Sequence, residues 1–285
     1  MAFIQNIESD KRMLNPPYPE LDDLLTMMGE AGRHIADIEA SEGAAGNISV
    51  CIRWPIEPRT RFPQVGDIEL PQPIPELAGA TFLVTGSGRR LREIIDDPTA
   101  NIACIVVNKG GLTGKLFTSY HQRFQQVTSE FNSHLAVHYD QMVSSSTNFH
   151  AIIHAQPLHI TYLSHIPRYQ EEQYLNTHLL RWQPETIINL PEGIGFIPFQ
   201  VPSSAELMAG NTKSLRKHRI VIWAKHGVMA RSDVSVKRAA DRVEYAETAA
   251  KYEYLNLGVH EIGEGLSVDE ILLICKTFNV PQTIF

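Results

Sequence analysis

The stretch "HAIIHAQPLHITYL" (150–163) combines two local patterns that together indicate the fold class. Its first part, "HAIIHA" (150–155), is short, apolar and rich in residues that favour strands. Pro157 follows, and proline suits the first turn of a helix, where its missing N–H costs little. A buried strand that runs directly into a helix is the building unit of α/β domains. His154 and Gln156 therefore lie at a strand end, where such folds bind ligands.

The same alternation of strands and helices continues along the chain in both directions. Apolar runs predict further strands at 46–54, 81–86, 101–107 and 219–227, and helical spacing predicts helices at 21–40, 128–143, 203–218, 232–255 and from 267 onward. We expect a single α/β domain over 1–285, with helices on both faces of a central mixed β-sheet. The Pro-rich segment 55–79 predicts a surface excursion, and 190–204 a connecting loop. Ser203 with Glu206, and Ser267 with Glu270, have the spacing of capping boxes that begin helices.

Composition and charge argue against several classes of protein. The chain of 285 residues is 43% hydrophobic and 20% charged, which is ordinary for a globular protein. A net charge of -7 and a pI of about 5.9 argue against nucleic acid or an anionic membrane as the main partner. No run approaches the roughly 20 apolar residues of a membrane span. The first residues lack the apolar core of a signal peptide, and the three cysteines form no CxxC motif, so we expect a cytoplasmic protein with reduced, buried thiols.

Two of the 12 histidines stand out by their placement. His154 and His226 are each predicted to end an apolar strand, where side chains point into the crevice that α/β folds use for ligands. Glu130 is predicted to begin the helix of 128–143. Two imidazoles and a carboxylate are a frequent set of ligands for a divalent metal. Histidines at strand ends are also often plain hydrogen-bonded residues, and the spacing alone leaves both interpretations open.

"VTGSGRRL" (84–91) is a glycine-rich turn after a strand. It is neither a Rossmann fingerprint, because the third glycine is missing, nor a Walker A loop, because no Gly-Lys-Ser/Thr follows. Gly86 and Gly88 would still let backbone N–H groups face an anion, and Ser87 adds a hydroxyl. Arg89 and Arg90 could add charge. The alternative is a simple tight turn.

A second glycine turn, "EGAAGNIS" (42–49), lies between a predicted helix and a predicted strand. The side-chain amide of Asn47 could donate a hydrogen bond to a phosphate, or it could only cap the turn. The pattern does not decide between these two roles.

Six segments of the chain resemble the class II aldolase/adducin family. They are "AGNIS", "FLVTGSG", "VTSEFNSH", "IIHAQP", "LPEGIGFIPFQVP" and "WAKHGV", in the family's order and at suitable distances. Each is unspecific alone, but six in register, from about residue 20 to the C-terminus, are specific. The resemblance implies a central mixed sheet between helical layers and a homotetramer with sites between neighbouring subunits.

The resemblance also implies an enzyme, a lyase that uses zinc to cleave a ketose 1-phosphate into dihydroxyacetone phosphate and an aldehyde. The expected partner is therefore a small phosphorylated sugar. His154 and His226 fall on metal ligands, Glu130 on the catalytic carboxylate, and Glu185, in "PETIINLPEG", on an acidic residue that also reaches the site. The positions that fall on or beside the groups holding phosphate and substrate are Asn47, Ser87, Gly88, Thr128 and Ser129.

Two departures from the family pattern concern the metal and the phosphate. The family carries His-x-His before the proline, and this chain reads His154-Ala155-Gln156. An amide oxygen binds zinc less tightly than an imidazole does, so Gln156 could give a weaker site or one better suited to Mn or Mg. In the phosphate turn, Ala44 replaces an asparagine.

Several alternatives follow from these departures. His159 could supply the missing imidazole. The metal could instead be lost, leaving a non-catalytic binding or assembly module like the head domain of adducin. A sibling reaction, such as that of a sugar-phosphate epimerase or dehydratase, would use the same scaffold.

Overall fold

The computed structural model describes residues 13–285, and within them nine strands form one mixed sheet. The sheet order is β2-β5-β4-β3-β1-β6-β9-β8-β7, and neighbours are antiparallel except for the parallel pair β7 and β8. This confirms the expected α/β fold with a central mixed sheet. The strands are β1 (Asn47–Ile52), β2 (Gln64–Glu69), β3 (Thr81–Thr85), β4 (Ile102–Val107), β5 (Thr113–Thr118), β6 (Phe149–Ala155), β7 (Gly195–Ile197), β8 (Ile220–Trp223) and β9 (Gly227–Ser232).

Helices cover both faces of this sheet. They are α1 (Leu21–Asp37), α2 (Pro98–Asn101), α3 (Phe131–Ser145), α4 (Leu158–Leu163), α5 (Glu172–Leu179), α6 (Pro184–Asn189), α7 (Ala205–Leu215), α8 (Val236–Leu257) and α9 (Val268–Phe278). The largest apolar core joins α1 and α8 to one face of the sheet, while α3 and α7 pack on the other. Within the described residues, no helix is both long and apolar enough to cross a membrane.

One predicted helix start is confirmed and one is wrong. Ser267 and Glu270 form the expected capping box of α9. At α7 the N-cap is Ser204, whose Oγ accepts from the backbone N–H of Leu207 at 3.1 Å. Ser203 has a φ of +65° and turns the chain, whereas an N-cap residue needs an extended backbone. The cap therefore lies one residue later than the pattern predicts.

The run 219–227 is not one strand, as the sequence predicts, but the first half of a hairpin. β8 ends at Trp223, which pairs with Gly227 at the start of β9. The backbone N–H of His226 donates to the carbonyl of Trp223 at 3.0 Å, and Lys225 turns the chain with a φ of +64°. His226 therefore lies in the tight turn of a hairpin and not at the end of a strand.

Besides β9, three strands, β2, β5 and β7, lie where the sequence predicts none. β2 lies inside the Pro-rich segment, where it forms the exposed edge of the sheet against β5. β7 is only three residues long and lies within the expected loop 190–204. Short or half-exposed edge strands carry little apolar signal, which explains why periodicity misses them.

The register of the central strands determines where the candidate residues lie. Asn47 is opposite His154 across β1 and β6, and His154 is opposite Met229 across β6 and β9. Gly46, with a φ of +84°, brings the start of β1 close to the end of β6. A Cβ at Gly46 would lie 2.8 Å from the backbone oxygen of His154, so only glycine fits this approach.

A second connection places the start of α3. Gly86, just after β3, forms an isolated antiparallel bridge with Val127. The backbone N–H of Thr128 donates to the carbonyl of Thr85 at 3.0 Å. The segment before α3 is thereby tied to the same end of the sheet as His154, and Glu130 follows as the N-cap of α3.

We expect Gly46→Ala to destabilise the protein more than Gly43→Ala. Both glycines have positive φ, but an added Cβ at Gly43 meets nothing within 4 Å. The strained backbone alone should cost about 1 kcal/mol at each position. The overlap with His154 should raise the loss at Gly46 to about 3 kcal/mol. Urea unfolding at fixed protein concentration measures the free energy of unfolding of each variant. Equal losses in Gly46→Ala and Gly43→Ala would contradict the close approach of β1 and β6.

Candidate functional site

Glu130, His154 and His226 converge at one end of the sheet. One ligand atom from each lies within 4.8 Å of the others. The His154 Nε2 atom is 3.6 Å from Glu130 Oε2, and His226 Nε2 is 3.9 Å from Glu130 Oε1. His154 and Glu130 are buried and His226 is half-buried. The structure thus brings together three residues that are far apart in sequence.

The ring of His154 is held in one orientation. Its Nδ1 lies 2.8 Å from the backbone oxygen of Val228, which can only accept, so Nδ1 carries the proton. The Nε2 lone pair is then left for the cluster, as in histidines that bind metals. Trp223 stacks on the ring with a centroid distance of 4.3 Å. Sheet register, backbone hydrogen bond and stacking together leave His154 little freedom.

His226 has no hydrogen-bond partner for its buried Nδ1 among the described residues, and its Nε2 has only the Glu130 oxygen at 3.9 Å. Burial lowers its pKa, and the neighbouring His154 lowers it further, although Glu130 acts in the opposite direction. A neutral imidazole with uncommitted nitrogen atoms is ready to serve as a ligand.

The carboxylate of Glu130 is held by a hydrogen bond. Asn47 Nδ2 donates to Glu130 Oε2 at 2.8 Å. Burial raises the pKa of Glu130, but the electrostatic interaction with His154 and the Asn47 hydrogen bond lower it, and the net pKa lies below its ordinary value. Glu130 is therefore ionised at neutral pH.

The donor set fits a divalent cation. Two imidazoles and one carboxylate at one open end of a sheet suit Zn, Mn or related metals. A second group with similar spacing, made by His34, Asp241 and Glu244, lies on the α1 and α8 faces. There the His34 Nε2 atom is paired with Glu244 at 3.0 Å, and all three residues are only half-buried. The Glu130 cluster is the better metal candidate because the Nε2 atoms of both its histidines make no hydrogen bond within the described residues.

Gln156 and His159 lie in different environments. The Gln156 Cγ atom is 3.1 Å from where a Cβ on Gly227 would lie, so its side chain adjoins the His226 hairpin. His159 lies outside the cluster because its Nδ1 bonds Glu247 Oε1 at 2.6 Å and its backbone N–H donates to the same oxygen at 3.0 Å. Gln156 is thus the better placed of the two to be a third ligand.

The glycine turn after β3 is partly open. Gly88 is exposed with a φ of +71°, and an added Cβ would meet nothing within 4 Å. Ser87 is half-buried, and its backbone N–H already donates to Gln126. Arg89 Nη2 contacts Glu93 Oε2 at 2.8 Å, so its charge is already paired.

Thr128 and Ser129 lie beside this turn, across the bridge between Gly86 and Val127. Thr128 is buried, and its Oγ accepts from the backbone N–H of Glu130 at 3.3 Å. Ser129 is exposed. The hydroxyl of Ser129 is therefore the more accessible of the two.

Glu185 lies outside the cluster of its own chain. It is exposed in the first turn of α6, and its charge acts on Tyr245 of α8. The helix α6 packs against α8 and α9. Glu185 is thus on the surface, where a neighbouring molecule can approach it.

Four buried polar residues beside the cluster were not singled out from the sequence. They are Ser49, His134, His138 and His150. A signal was present, because Glu130, His134 and His138 recur at i, i+4 and i+8 and so share one face of α3. Burial lowers the pKa of His134 to about 3.

Comparison with known proteins identifies the family. The family model for the class II aldolase and adducin N-terminal domain matches residues 27–254. The chain belongs to this family. The expected family is thereby confirmed, and with it the expectation of a lyase at the level of the family.

Individual relatives of this class II aldolase family member agree with that result. Rhamnulose-1-phosphate aldolase of Yersinia pestis (strain Pestoides F) is 29% identical over 245 residues, which cover 84% of this chain and 87% of that protein. The enzyme of the same name from Bacteroides thetaiotaomicron is 25% identical over 266 residues, covering 93% and 97%. Both are similar along nearly their whole length.

Two solved structures have the same fold. The crystal structure of a sugar-phosphate aldolase from Thermotoga maritima aligns with a TM-score of 0.71 and 27% identity, covering 86% of this chain and 99% of that one. An L-fuculose 1-phosphate aldolase aligns with a TM-score of 0.56 and 18% identity, covering 94% and 98%. The second likeness is one of fold alone.

The buried histidines predict a loss of stability in acid. Burial first, and then charged or imidazole neighbours, hold the pKa of His138 and His150 well below the ordinary value. As the pH falls below about 6.5, the unfolded chain takes up these protons and the folded chain does not, so folding stability is full above this pH and is lost below it. Below this pH, each ring should lower the free energy of unfolding by about 1.4 kcal/mol for each pH unit.

Urea unfolding between pH 7.5 and 5 measures this slope. His138→Gln should reduce it by the contribution of one ring, and His150→Gln by the same amount. If both variants kept the wild-type slope, the rings would not be neutral in the folded protein.

Proposed function

We propose that the protein is a metal-dependent aldolase that cleaves a ketose 1-phosphate of the rhamnulose-1-phosphate type into dihydroxyacetone phosphate and an aldehyde. The observation that carries this proposal is the convergence of Glu130 with His154 and His226 at the open end of the sheet. Relatives named rhamnulose-1-phosphate aldolase support the substrate class.

His154 and His226 would hold the metal, with Gln156 as the third ligand. The cation, zinc or, with an amide oxygen among its ligands, manganese or magnesium, would supply Lewis-acid polarisation of the substrate's carbonyl and hydroxyl oxygens. The fixed tautomer of His154 supports this assignment, since Nε2 is left without a proton.

Glu130 acts as the general base. In the condensation direction it removes the proton from the carbon of dihydroxyacetone phosphate that will form the new bond. In cleavage, the C4 hydroxyl of the substrate loses its proton as the C3–C4 bond breaks, and the carboxyl group of Glu130, after taking up a proton, delivers it to C3. Asn47 binds Oε2, which leaves Oε1 on the His226 side for the substrate. Because the pKa of Glu130 is low, the base is ionised and ready at neutral pH.

The phosphate is assigned to the turn formed by Ser87 and Gly88, together with Thr128 and Ser129. Open space at Gly88 and the exposed Ser129 support this assignment. We assign Asn47 to Glu130 and not to the phosphate, because its amide is hydrogen-bonded inside the protein at both ends. Its role here is to hold Glu130, and holding the phosphate in place then orients the substrate carbons.

We further propose a homotetramer in which Glu185 serves the site of a neighbouring subunit. Its exposed position on α6, outside its own cluster, supports this arrangement. An acidic side chain arriving from a neighbour would add a second proton-transfer group at the aldehyde end of the substrate.

The second candidate is a non-catalytic binding or assembly module of the adducin kind. The observation in its favour is Gln156, a neutral amide in place of an imidazole, together with Ala44 in the glycine turn. A sibling epimerase or dehydratase would use the same cluster with a different substrate pose.

Retro-aldol release of dihydroxyacetone phosphate, measured by a coupled assay, tests the proposed reaction. Glu130→Gln should lower kcat about 10²- to 10⁴-fold, because proton transfer is lost. His154→Ala should abolish both metal binding and turnover, and His159→Ala, the matched control, should keep both. Wild-type protein that stays inert after loading with Zn, Mn, Mg and Co would exclude the aldolase.

Gln156→His separates the two candidate functions. In an aldolase this change should tighten zinc binding about tenfold, equivalent to about 1.4 kcal/mol, with turnover kept or raised. In a non-catalytic module the variant should bind metal and stay inactive, because other parts of the site would have changed as well. Metal titration followed by the same assay distinguishes these outcomes.

A further inference from the structure

A line of six buried polar side chains leads from Glu130 into the protein, between α3 and the sheet. We call it the buried polar row, and its members, in spatial order, are Glu130, Asn47, His134, Ser49, His138 and His150. Glu130 is 6% exposed, Asn47 7%, and the other four 0%. Hydrogen bonds of 2.5–2.8 Å join each member to the next.

The row exists because a helix and a strand advance at nearly the same rate. Four helical residues rise about 6.0 Å, and two strand residues rise about 6.7 Å. Glu130 and His134, one helical step apart, therefore meet Asn47 and Ser49, one strand step apart. His138, a step further along α3, bonds both to Ser49 and sideways to His150 of β6.

The carboxylate of Glu130 sets the direction of the first bonds. A carboxylate without a proton only accepts, so Asn47 presents its Nδ2–H group to Glu130. The amide oxygen of Asn47 then faces His134 and must receive the proton on His134 Nε2. Reversing the amide would place two oxygens against each other.

This direction continues along the rest of the row. His134 is neutral, so its Nδ1 accepts from the hydroxyl of Ser49 at 2.6 Å. The Ser49 oxygen in turn accepts from His138 Nε2–H at 2.7 Å. His138 Nδ1, left without a proton, accepts from His150 Nδ1–H at 2.7 Å.

The far end of the row agrees with this assignment. His150 Nε2 should carry no proton, because its ring is neutral and Nδ1 is the donor. It has no hydrogen-bond partner among the described residues and lies 3.6 Å from Asp233 Oδ1. Two acceptors stay at such a distance, whereas an N–H group would close it to about 2.9 Å.

We propose that the buried polar row positions the catalytic carboxylate: every donor in it points toward Glu130, which pins one carboxylate oxygen and leaves the other for the substrate. His134, Ser49, His138 and His150 are then positioning residues that act through Asn47. The role rests on the proposed function, because it assigns Glu130 as the base. Hydrogen bonds aligned head to tail strengthen one another. Removing a hydrogen bond in the middle of the row should therefore weaken the one that Asn47 donates to Glu130.

Ring-nitrogen NMR on protein labelled with ¹⁵N-histidine tests the direction without any turnover. At neutral pH we expect the Nε2–H tautomer at His134 and His138 and the Nδ1–H tautomer at His150, with signals assigned from single His→Gln variants. In Glu130→Gln the new amide can donate as well as accept, so a second tautomer should appear at His138. Opposite tautomers in the wild-type protein, or an unchanged His138 in Glu130→Gln, would overturn the proposal.

The kcat and KM values of Ser49 variants test whether the buried polar row positions Glu130 for catalysis. Ser49→Ala removes the link between two rings and should lower kcat about tenfold, with KM within about twofold. Ser49→Thr keeps the hydroxyl and should restore most of kcat. The matched control is Ser133→Ala, which removes an equally buried hydroxyl of α3 that accepts from Asn211 at 3.3 Å and should keep wild-type kcat.

Equal kcat values for Ser49→Ala and Ser133→Ala would contradict positioning through the row. If Ser49→Ala fails to fold, the histidine tautomers of the wild-type protein and of Glu130→Gln still test whether the row is directed at Glu130. A wild-type protein without aldolase activity would overturn the proposed function, and the NMR result would then stand separately on whether the row is directed at Glu130.

Discussion

The pairing of β6 with β1 and β9 is the constraint on which the site depends. β6 is buried along all seven residues, and its register places His154 opposite Asn47 on one side and Met229 on the other. A slip by one residue would turn His154 to the opposite face of the sheet. The apolar residues Phe149 and Ile153, packed in the core with α1 and α8, oppose such a slip. One face of the strand thus provides the stability that holds polar residues in place on the other.

This division between the two faces explains how the protein tolerates a polar layer in its interior. A buried polar group costs about 1–3 kcal/mol when it is left without a partner, so each member of the row must be bonded. Glu130 and Asn47 bond each other, and Ser49 bonds two rings at once. Neutral imidazoles are suited to this task because each offers one donor and one acceptor in fixed positions. The row is bonded without a break from Glu130 to His150 Nδ1, and it ends at His150 Nε2, which has no hydrogen-bond partner among the described residues, so its members are interdependent.

The sequence predicts those parts of the fold that depend on local pattern. The strands around 81–86, 101–107 and 150–155 are short apolar runs, and the capping box of Ser267 is a local motif, so each is found. In the β8–β9 hairpin the residue with positive φ is Lys225 and not a glycine or asparagine. The sequence therefore lacks the usual signal from which a hairpin is predicted. The convergence of Glu130 with two histidines follows from the family likeness, whereas the row depends on how α3 lies over β1. No local pattern contains that information.

In the proposed metal site, the exchange of imidazole for amide at Gln156 changes the character of the donors and not their charge. Both side chains are neutral, so the cluster keeps one negative charge, that of Glu130, whichever residue is present. The electrostatic reasons for the low pKa of Glu130, which are the adjacent histidines and the Asn47 hydrogen bond, lie outside position 156 and are unaffected. A weaker donor at Gln156 would leave more of a cation's charge to act on the substrate, at the expense of affinity. The altered ligand set of the proposed site is therefore compatible with an ionised, hydrogen-bonded Glu130, because the two features are built from different residues.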